Sequence, residues 1–145
     1  MSVFQSYVSK GFGAAAFQSH AYVQAVRVGD VLHLAGQGGW DQETFKIHKE
    51  INAQVDQAFA NIDYNLKSAG GKGWSQVYKI RSYHMPLNTE AQDAMVRNFR
   101  KWMPEIKATW TCVQVSRLGE DDMRVEIEVE AYDPEGSKAA ASGSS

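Results

Sequence analysis

Three glutamates near the end of the chain could carry chemistry. In RVEIEVEAY, residues 124–132, Glu126, Glu128 and Glu130 alternate with apolar residues. If this segment is a β-strand, the carboxylates line one face of it and the apolar side chains line the other. Such a row is typical of the solvated face of an antiparallel sheet. The other interpretation is a face covered by another subunit, where a carboxylate sheltered from water can act as a general base; from this segment alone, the solvated face is favoured.

Other residues have side chains suited to proton transfer or ligand binding. His33, in LHLAG, has an imidazole that could shuttle protons, although a lone histidine on a strand is more often structural. Arg81 alternates with Lys79 and Tyr83, and it can bind an anionic group or pair with a glutamate. Cys112, the only cysteine, has no base at a readable distance and is interpreted as a small buried residue. The histidines lack metal-ligand spacing, so the sequence predicts no metal and no cofactor.

The composition limits the classes of function. The chain has 145 residues, 43% of them hydrophobic, and a formal net charge of -2. These values suit one domain with its own core and argue against a general nucleic-acid binder, which usually shows a basic excess. A single cysteine fits a reducing compartment, and no apolar run is long enough to span a bilayer. We therefore expect no membrane partner and a cytoplasmic location, or an organellar matrix.

The order of the expected elements is ββαβαββ. Gly29-Asp30 is a hairpin signal, apolar residues recur at helical spacing after residue 51, and Thr89 with Gln92 forms a capping-box pattern. The elements span residues 21–29, 31–37, 51–69, 75–85, 89–103, 109–118 and 124–132. They predict one α+β domain over 21–133, a mixed sheet with two helices on one face. Residues 1–20 are expected to be irregular, and 134–145 to be disordered or added by cloning.

The other face of this sheet is left open by two helices. If Val113 and Val115 contact the helices, then Trp110 and Cys112 lie on the open face with the glutamates. A large apolar group on an open face more often marks an interface or a ligand groove than a solvated surface.

Several blocks resemble the Rid family, also called the YjgF or endoribonuclease L-PSP family of imine and enamine deaminases. They are AYVQAVRVGDVLHLAGQ, INAQVDQAFANIDYNLKSAGG, CVQVSRL and VEIEVEAY, in this order between residues 21 and 132. The resemblance implies a chorismate-mutase-like fold and a homotrimer with small-molecule pockets between subunits. The glutamate row would then point into the trimer, where repulsion between acids requires hydrogen bonds, paired cations or protonation.

The resemblance also assigns roles to individual residues. Glu128 matches the acid that positions or activates a water, which makes it the catalytic candidate; an acid in an inter-subunit salt bridge is the alternative. Glu126 and Glu130 are interpreted as structural. Tyr22 matches the motif tyrosine, either as a catalytic or substrate-binding group or as a packed aromatic.

The substrate-binding candidates include one departure from the family pattern. Trp110 stands where the family has its characteristic arginine, so bidentate binding of a substrate carboxylate is replaced by an indole N–H and an apolar surface. The remaining candidates, in the Gly-Gln block, the penultimate strand and two other strands, are Gly36, Gln37, Thr111, Cys112, Arg81 and His33.

The predicted function is hydrolysis of an imine, an enamine or a related conjugated molecule by water held at Glu128. The alternative is a small-ligand-binding or chaperone-like trimer that has lost deaminase activity. A third class, RNA cleavage, fits poorly because the chain lacks an aromatic and basic stripe.

Overall fold

A computed structural model describes residues 4–143, which form one six-stranded sheet and four α-helices. The strands are β1 (Gln5–Tyr7), β2 (Ala25–Val28), β3 (Val31–Leu34), β4 (Val77–His84), β5 (Thr109–Gln114) and β6 (Val125–Tyr132). The helices are α1 (Phe12–His20), α2 (Ile51–Ser68), α3 (Thr89–Trp102) and α4 (Pro134–Gly143), and a short 3-10 turn covers Trp74–Gln76. The strand order is β1-β2-β3-β6-β4-β5. All neighbours are antiparallel except β4 and β5, so the sheet is mixed as predicted.

The core lies between the sheet and the pair α2 and α3. Phe59, Ile62 and Leu66 of α2 are fully buried, as the helical spacing in the sequence predicts. They pack against the inward residues of the sheet, including Ile127 of β6. The other face of the sheet carries neither α2 nor α3 and is called here the open face.

The prediction that residues 1–20 are irregular is wrong for residues 4–20, and residues 1–3 lie outside the described part of the chain. β1 pairs with β2, and α1 follows after a turn at Gly11. Ser9 Oγ donates a hydrogen bond to Asn65 Oδ1 at 2.6 Å, which attaches this segment to α2. The local signals for these elements are weak because α1 is short and rich in small residues, and its packing partners lie far along the chain.

The expected disorder of the C-terminal segment is wrong for residues 134–143, which form α4, and residues 144–145 lie outside the described part of the chain. The Asp133 carboxylate accepts a hydrogen bond from Gly136 N–H at 3.1 Å at the start of this helix. Lys72 pairs with Glu135 on the surface. No helix among residues 4–143 is both long and apolar enough to cross a bilayer.

A buried ion pair joins the N-terminal and C-terminal parts of the domain. Arg27 of β2 lies 2.8 Å from the Asp133 carboxylate, and both side chains are almost fully buried. Arg27 also donates to the carbonyls of Asp133 and Ala69 and to the hydroxyl of Tyr7. Burial alone would raise the pKa of Asp133, but hydrogen bonds from Arg27 and Gln76 hold it below its usual value.

The N-cap of α3 is Asn88, one residue before the capping box that the sequence suggests. The Asn88 Oδ1 atom accepts from Ala91 N–H at 2.9 Å. We expect Asn88→Ala to lower the free energy of unfolding by about 1 kcal/mol, because a helix N–H loses its acceptor. Thr89→Ala is the matched control and should have a smaller effect in urea unfolding. A larger loss of unfolding free energy for Thr89→Ala than for Asn88→Ala would indicate that Thr89, and not Asn88, is the N-cap.

Candidate functional site

The glutamate row lies on the open face, at the centre of the sheet. In the pairing of β6 with β4, Glu126, Glu128 and Glu130 stand opposite Tyr83, Arg81 and Lys79, respectively. The alternation in the sequence therefore places the acids beside two cations and a phenol. This arrangement provides the hydrogen bonds and opposite charges that a row of carboxylates requires.

A groove of about 110 Å³ on the open face contains the predicted catalytic acid; it is called here the Glu128 groove. It is lined by His33, Leu34, Lys79, Arg81, Glu128, Val129 and Glu130. Three candidate residues on three strands thus share one cavity: His33 of β3, Arg81 of β4 and Glu128 of β6. The volume is sufficient for several water molecules.

The contacts of Glu128 hold its carboxylate in place. The Tyr83 hydroxyl donates a hydrogen bond to Glu128 Oε1, and this bond raises the pKa of Tyr83. Arg81 Nη1 lies 3.9 Å from Glu128 Oε1 and also 3.9 Å from Glu130 Oε2. Glu130 accepts from the Tyr78 hydroxyl at 2.8 Å. The Arg81 guanidinium therefore lies at the same distance from two carboxylates, and both of these ionic contacts are long.

The predicted position of Trp110 and Cys112 on the open face is wrong. Their partners on β4 are Ile80 and Ser82, both buried on the helix side of the sheet. The Trp110 ring meets Phe99 edge to face at 5.0 Å between centroids, and so packs against α3. Burying an indole against the helices removes more apolar surface from water than burying a valine does, and this decides the face.

The open face of β5 carries Thr111 and Val113 instead. Thr111 stands opposite Arg81, which places it on the same face as the Glu128 groove, although it does not line it. Val113 is 43% exposed, contrary to the prediction that it contacts the helices.

Gln37 is part of the interior rather than of an accessible site. Its backbone pairs with Ile127, and its side chain bonds to Gln24 Oε1 and accepts from Asn65 Nδ2. With Ser9, these residues form a buried polar chain that attaches the loop after β3 to α2. The neighbouring Gly36 lies against Glu126, since an added Cβ would be 2.7 Å from Glu126 Cδ. The Gly-Gln block thus positions Glu126.

Tyr22 lines a second, larger cavity of about 470 Å³, called here the α1 cavity. It lies between α1, the loops at 40–47 and 119–123, and the start of β6. Its lining residues include Phe12, His20, Tyr22, Trp40, Phe45, Glu120 and Glu126. Tyr22 and Glu128, the two predicted catalytic residues, therefore line different cavities in one protomer.

Glu126 is the acid whose environment sequence reasoning missed. Burial, and secondarily the charge of Glu128, raises the pKa of Glu126 above its usual value. The alternating pattern makes the three glutamates equivalent, and the difference between them comes from the contacts of Glu126 with the loop after β3. The only feature of the sequence that indicates unusual contacts in this loop is the Gly-Gly-Trp at residues 38–40.

A buried histidine lies on the helix side of β4. Trp110 Nε1–H donates to Ser82 Oγ at 2.8 Å, and Ser82 Oγ is hydrogen-bonded to His84 Nε2 at 2.7 Å. His84 is fully buried, and burial lowers its pKa from 6.5 to about 4. It is therefore neutral at pH 7. The described residues contain no group of three His, Cys, Asp or Glu side chains that could hold a metal ion.

This histidine makes stability depend on pH. The unfolded chain binds a proton at His84 below pH 6.5 and the folded chain only near pH 4, so stability falls as pH decreases between these values. We expect the free energy of unfolding to fall by about 2 kcal/mol from pH 7 to pH 5 because of the protonation of His84 in the unfolded chain. The measurement is urea unfolding of wild type and His84→Gln at both pH values. Equal pH dependence in both proteins would contradict the prediction.

Comparisons with known proteins agree with this architecture. The family model described as "Endoribonuclease L-PSP" matches residues 13–133. A RutC family protein of Pyrococcus abyssi is 35% identical over 112 residues, covering 77% of this chain and 85% of that protein. The 2-iminobutanoate/2-iminopropanoate deaminase of Salmonella typhimurium is 30% identical over 113 residues, covering 76% of this chain and 84% of that protein.

Solved structures have the same fold. The structure of protein YJGH superposes with a TM-score of 0.78 at 24% identity, over 92% of this chain and 99% of that one. RidA from the Antarctic bacterium Psychrobacter sp. superposes with a TM-score of 0.72 at 26% identity, over 91% and 99% of the two chains. The chain is therefore a member of the Rid family, the YjgF or endoribonuclease L-PSP family.

Proposed function

We propose that this protein hydrolyses a small imine or enamine at the Glu128 groove, and that a homotrimer shelters this groove from bulk water. The observation that carries the proposal is that Glu128, Arg81 and His33 line one cavity large enough for water. A relative at 30% identity that is named as an iminobutanoate and iminopropanoate deaminase supports the reaction class.

The open face supports the assembly. Val28, Val113 and Tyr132 lie on this face and are 49%, 43% and 54% exposed in the single chain. Apolar side chains around a row of paired charges are typical of a face that another subunit covers. Burial of this face would also strengthen the long ionic contacts of Arg81 with the two acids, because water screens them less.

The proposed chemistry follows from the groups in the groove. The Glu128 carboxylate takes a proton from water as the water oxygen bonds to the imine carbon, and the imine nitrogen takes a proton from His33 or solvent. The carbon–nitrogen bond of the resulting carbinolamine then breaks as Glu128 returns its proton to the leaving nitrogen. The carbinolamine hydroxyl gives its proton to His33 or solvent, whichever protonated the imine, as the carbonyl forms. The products are a carbonyl compound and ammonia. Tyr83 and Arg81 orient the carboxylate.

A second candidate is a ligand-binding trimer without turnover. The observation in its favour is that Glu128 already has a phenol donor and a nearby guanidinium. Both contacts are made by Glu128 Oε1, so a structural role accounts for this carboxylate without a bound water. Trp110, which stands where the family has its arginine, contacts the core and not the groove.

The test is release of ammonia from a freshly generated imine of an apolar amino acid. Acceleration over the protein-free rate supports the proposed hydrolysis. No acceleration, together with saturable quenching of tryptophan fluorescence by small carbonyl compounds, would favour the ligand-binding protein. Sedimentation at micromolar concentration tests the trimer, and a 16 kDa particle would contradict it.

A further inference from the structure

A groove lies between the C-terminal end of α3 and the 3-10 turn at Trp74–Gln76; it is called here the Trp102 groove. It has a volume of about 500 Å³, within the range of small-molecule pockets. Its apolar lining residues are Trp74, Trp102, Met103 and Pro104. Among the described residues, none that lines the Glu128 groove or the α1 cavity also lines this groove. It is therefore a separate site within the protomer.

The apolar wall of this groove is anchored in the core. The Trp74 ring stacks on Phe59 with 4.7 Å between ring centroids, and its Nε1–H donates to the Phe59 carbonyl at 2.9 Å. Met103 is also buried, whereas Pro104 is exposed at the rim. A fixed indole beside a flexible thioether provides a surface that adapts to a flat apolar molecule.

Two hydrogen-bond donors of the groove lack an acceptor. Trp102 is half-buried, but its Nε1–H is buried, and no partner for this group is found in residues 4–143. The exposed Ser75 hydroxyl, at the rim, also makes no hydrogen bond within the described part of the chain. A buried donor without an acceptor is costly, so a ligand that brings an acceptor is favoured.

The charged groups that line the groove compensate each other. Lys107 Nζ lies 3.2 Å from the Glu105 carboxylate. Lys101, whose Nζ lies 5.4 Å from the centre of the Trp102 ring, does not line the groove. An ionised ligand would lose hydration where the described lining residues provide no unpaired counter-ion. The groove therefore favours uncharged ligands.

We propose that the Trp102 groove binds a small, uncharged aromatic carbonyl compound. The ring of the ligand packs against Trp74, Trp102 and Met103. Its carbonyl oxygen accepts a hydrogen bond from the Ser75 hydroxyl, and from the Trp102 Nε1–H once this indole turns toward the ligand. Apolar contacts supply the affinity, and the carbonyl sets the orientation. This inference does not depend on the proposed hydrolysis, whose residues line a different groove.

Titration with three matched probes, followed by the NMR signals of the indole N–H groups, tests the proposal. The probes are acetophenone, ethylbenzene, which lacks the carbonyl, and the anionic benzoate. We expect acetophenone to shift the Trp102 signal, to leave the Trp40 signal of the α1 cavity in place, and to bind about threefold to tenfold more tightly than ethylbenzene, the net contribution of one hydrogen bond. Benzoate should bind more weakly than acetophenone.

The opposite results would overturn the proposal. These are equal affinity for acetophenone and ethylbenzene, tighter binding of benzoate, or no shift of the Trp102 signal at millimolar acetophenone. A shift of the Trp40 signal without one of the Trp102 signal would place the ligand in the α1 cavity and would also contradict it.

Three variants locate the site. Ser75→Ala should weaken acetophenone binding about threefold to tenfold and leave ethylbenzene binding unchanged, because only the ketone accepts from this hydroxyl. Trp102→Phe assigns the indole signal and should also weaken acetophenone binding. Glu128→Gln should leave acetophenone binding unchanged, while the hydrolysis proposal predicts that it abolishes turnover. Thermal unfolding checks that each variant is folded. Unchanged acetophenone binding in Ser75→Ala, or its loss in Glu128→Gln, would refute the site.

Discussion

Glu128→Gln is expected to slow ammonia release from an apolar imine by about 100-fold to 10,000-fold, the usual contribution of a general base. The glutamine amide can still accept the hydrogen bond from Tyr83, so the geometry of the groove is retained while the basic group is lost. The measurement is the initial rate of ammonia release at saturating protein, compared with the rate without protein.

The matched control for this prediction is Glu130→Gln. Glu130 lies two residues along the same strand, has the same 3.9 Å contact with Arg81 and accepts from a tyrosine hydroxyl. Both variants remove one negative charge from the groove, so a general electrostatic effect would slow them equally. The base role of Glu128 requires a much smaller loss in Glu130→Gln. Equal losses of rate in the two variants would indicate that both acids act by binding Arg81.

Arg27→Ala is expected to lower the free energy of unfolding by about 3–5 kcal/mol, which is typical for removal of one partner of a buried ion pair. The reason is that Asp133 would remain buried without its guanidinium, and the carbonyls of Asp133 and Ala69 would lose their donor. The measurement is urea unfolding at pH 7, followed by circular dichroism.

An exposed ion pair provides the control for this variant. Arg97 lies 2.8 Å from Asp56, and both side chains are 48% exposed. Arg97→Ala should cost no more than about 1 kcal/mol, because solvent screens the pair and hydrates the remaining charge. If the two arginine variants were equally stable, the Arg27 pair would be fully hydrated in solution, contrary to its burial in the structure.

Helices α2 and α3 and strands β2 to β6 could be predicted because their signals are local. The apolar spacing in residues 51–69 depends only on the helical period, and α2 was found at Ile51–Ser68. The turn at Gly29 was predicted from two residues, and Gly29 has the positive φ of 59° that such a turn uses. The N-cap of α3 was placed one residue too late because Thr89 and Asn88 are both good caps, and only the side-chain geometry distinguishes them.

The pairing of the strands decides which candidate residues lie together. Glu128, Arg81 and His33 are candidates in the sequence for separate reasons. They share a cavity because β4 pairs with β6 in the register that places Arg81 opposite Glu128. The predicted face of Trp110 is wrong because TWTCVQV has apolar side chains on both faces, so alternation alone gives no preference. Pairing with β4 aligns Trp110 with the buried Ile80, and this long-range contact settles its direction.

By itself, the sequence determined the order of elements and the alternation that puts three carboxylates on one side of β6, because both follow from the spacing of neighbouring residues. Only the tertiary structure decided which carboxylate is buried and which cavity each one lines. Glu126 differs from Glu128 because the loop after β3 brings Gly36 against it, and α1 and Trp40 complete its surroundings. Burial depends on contacts between residues distant in the chain, and no local pattern encodes it.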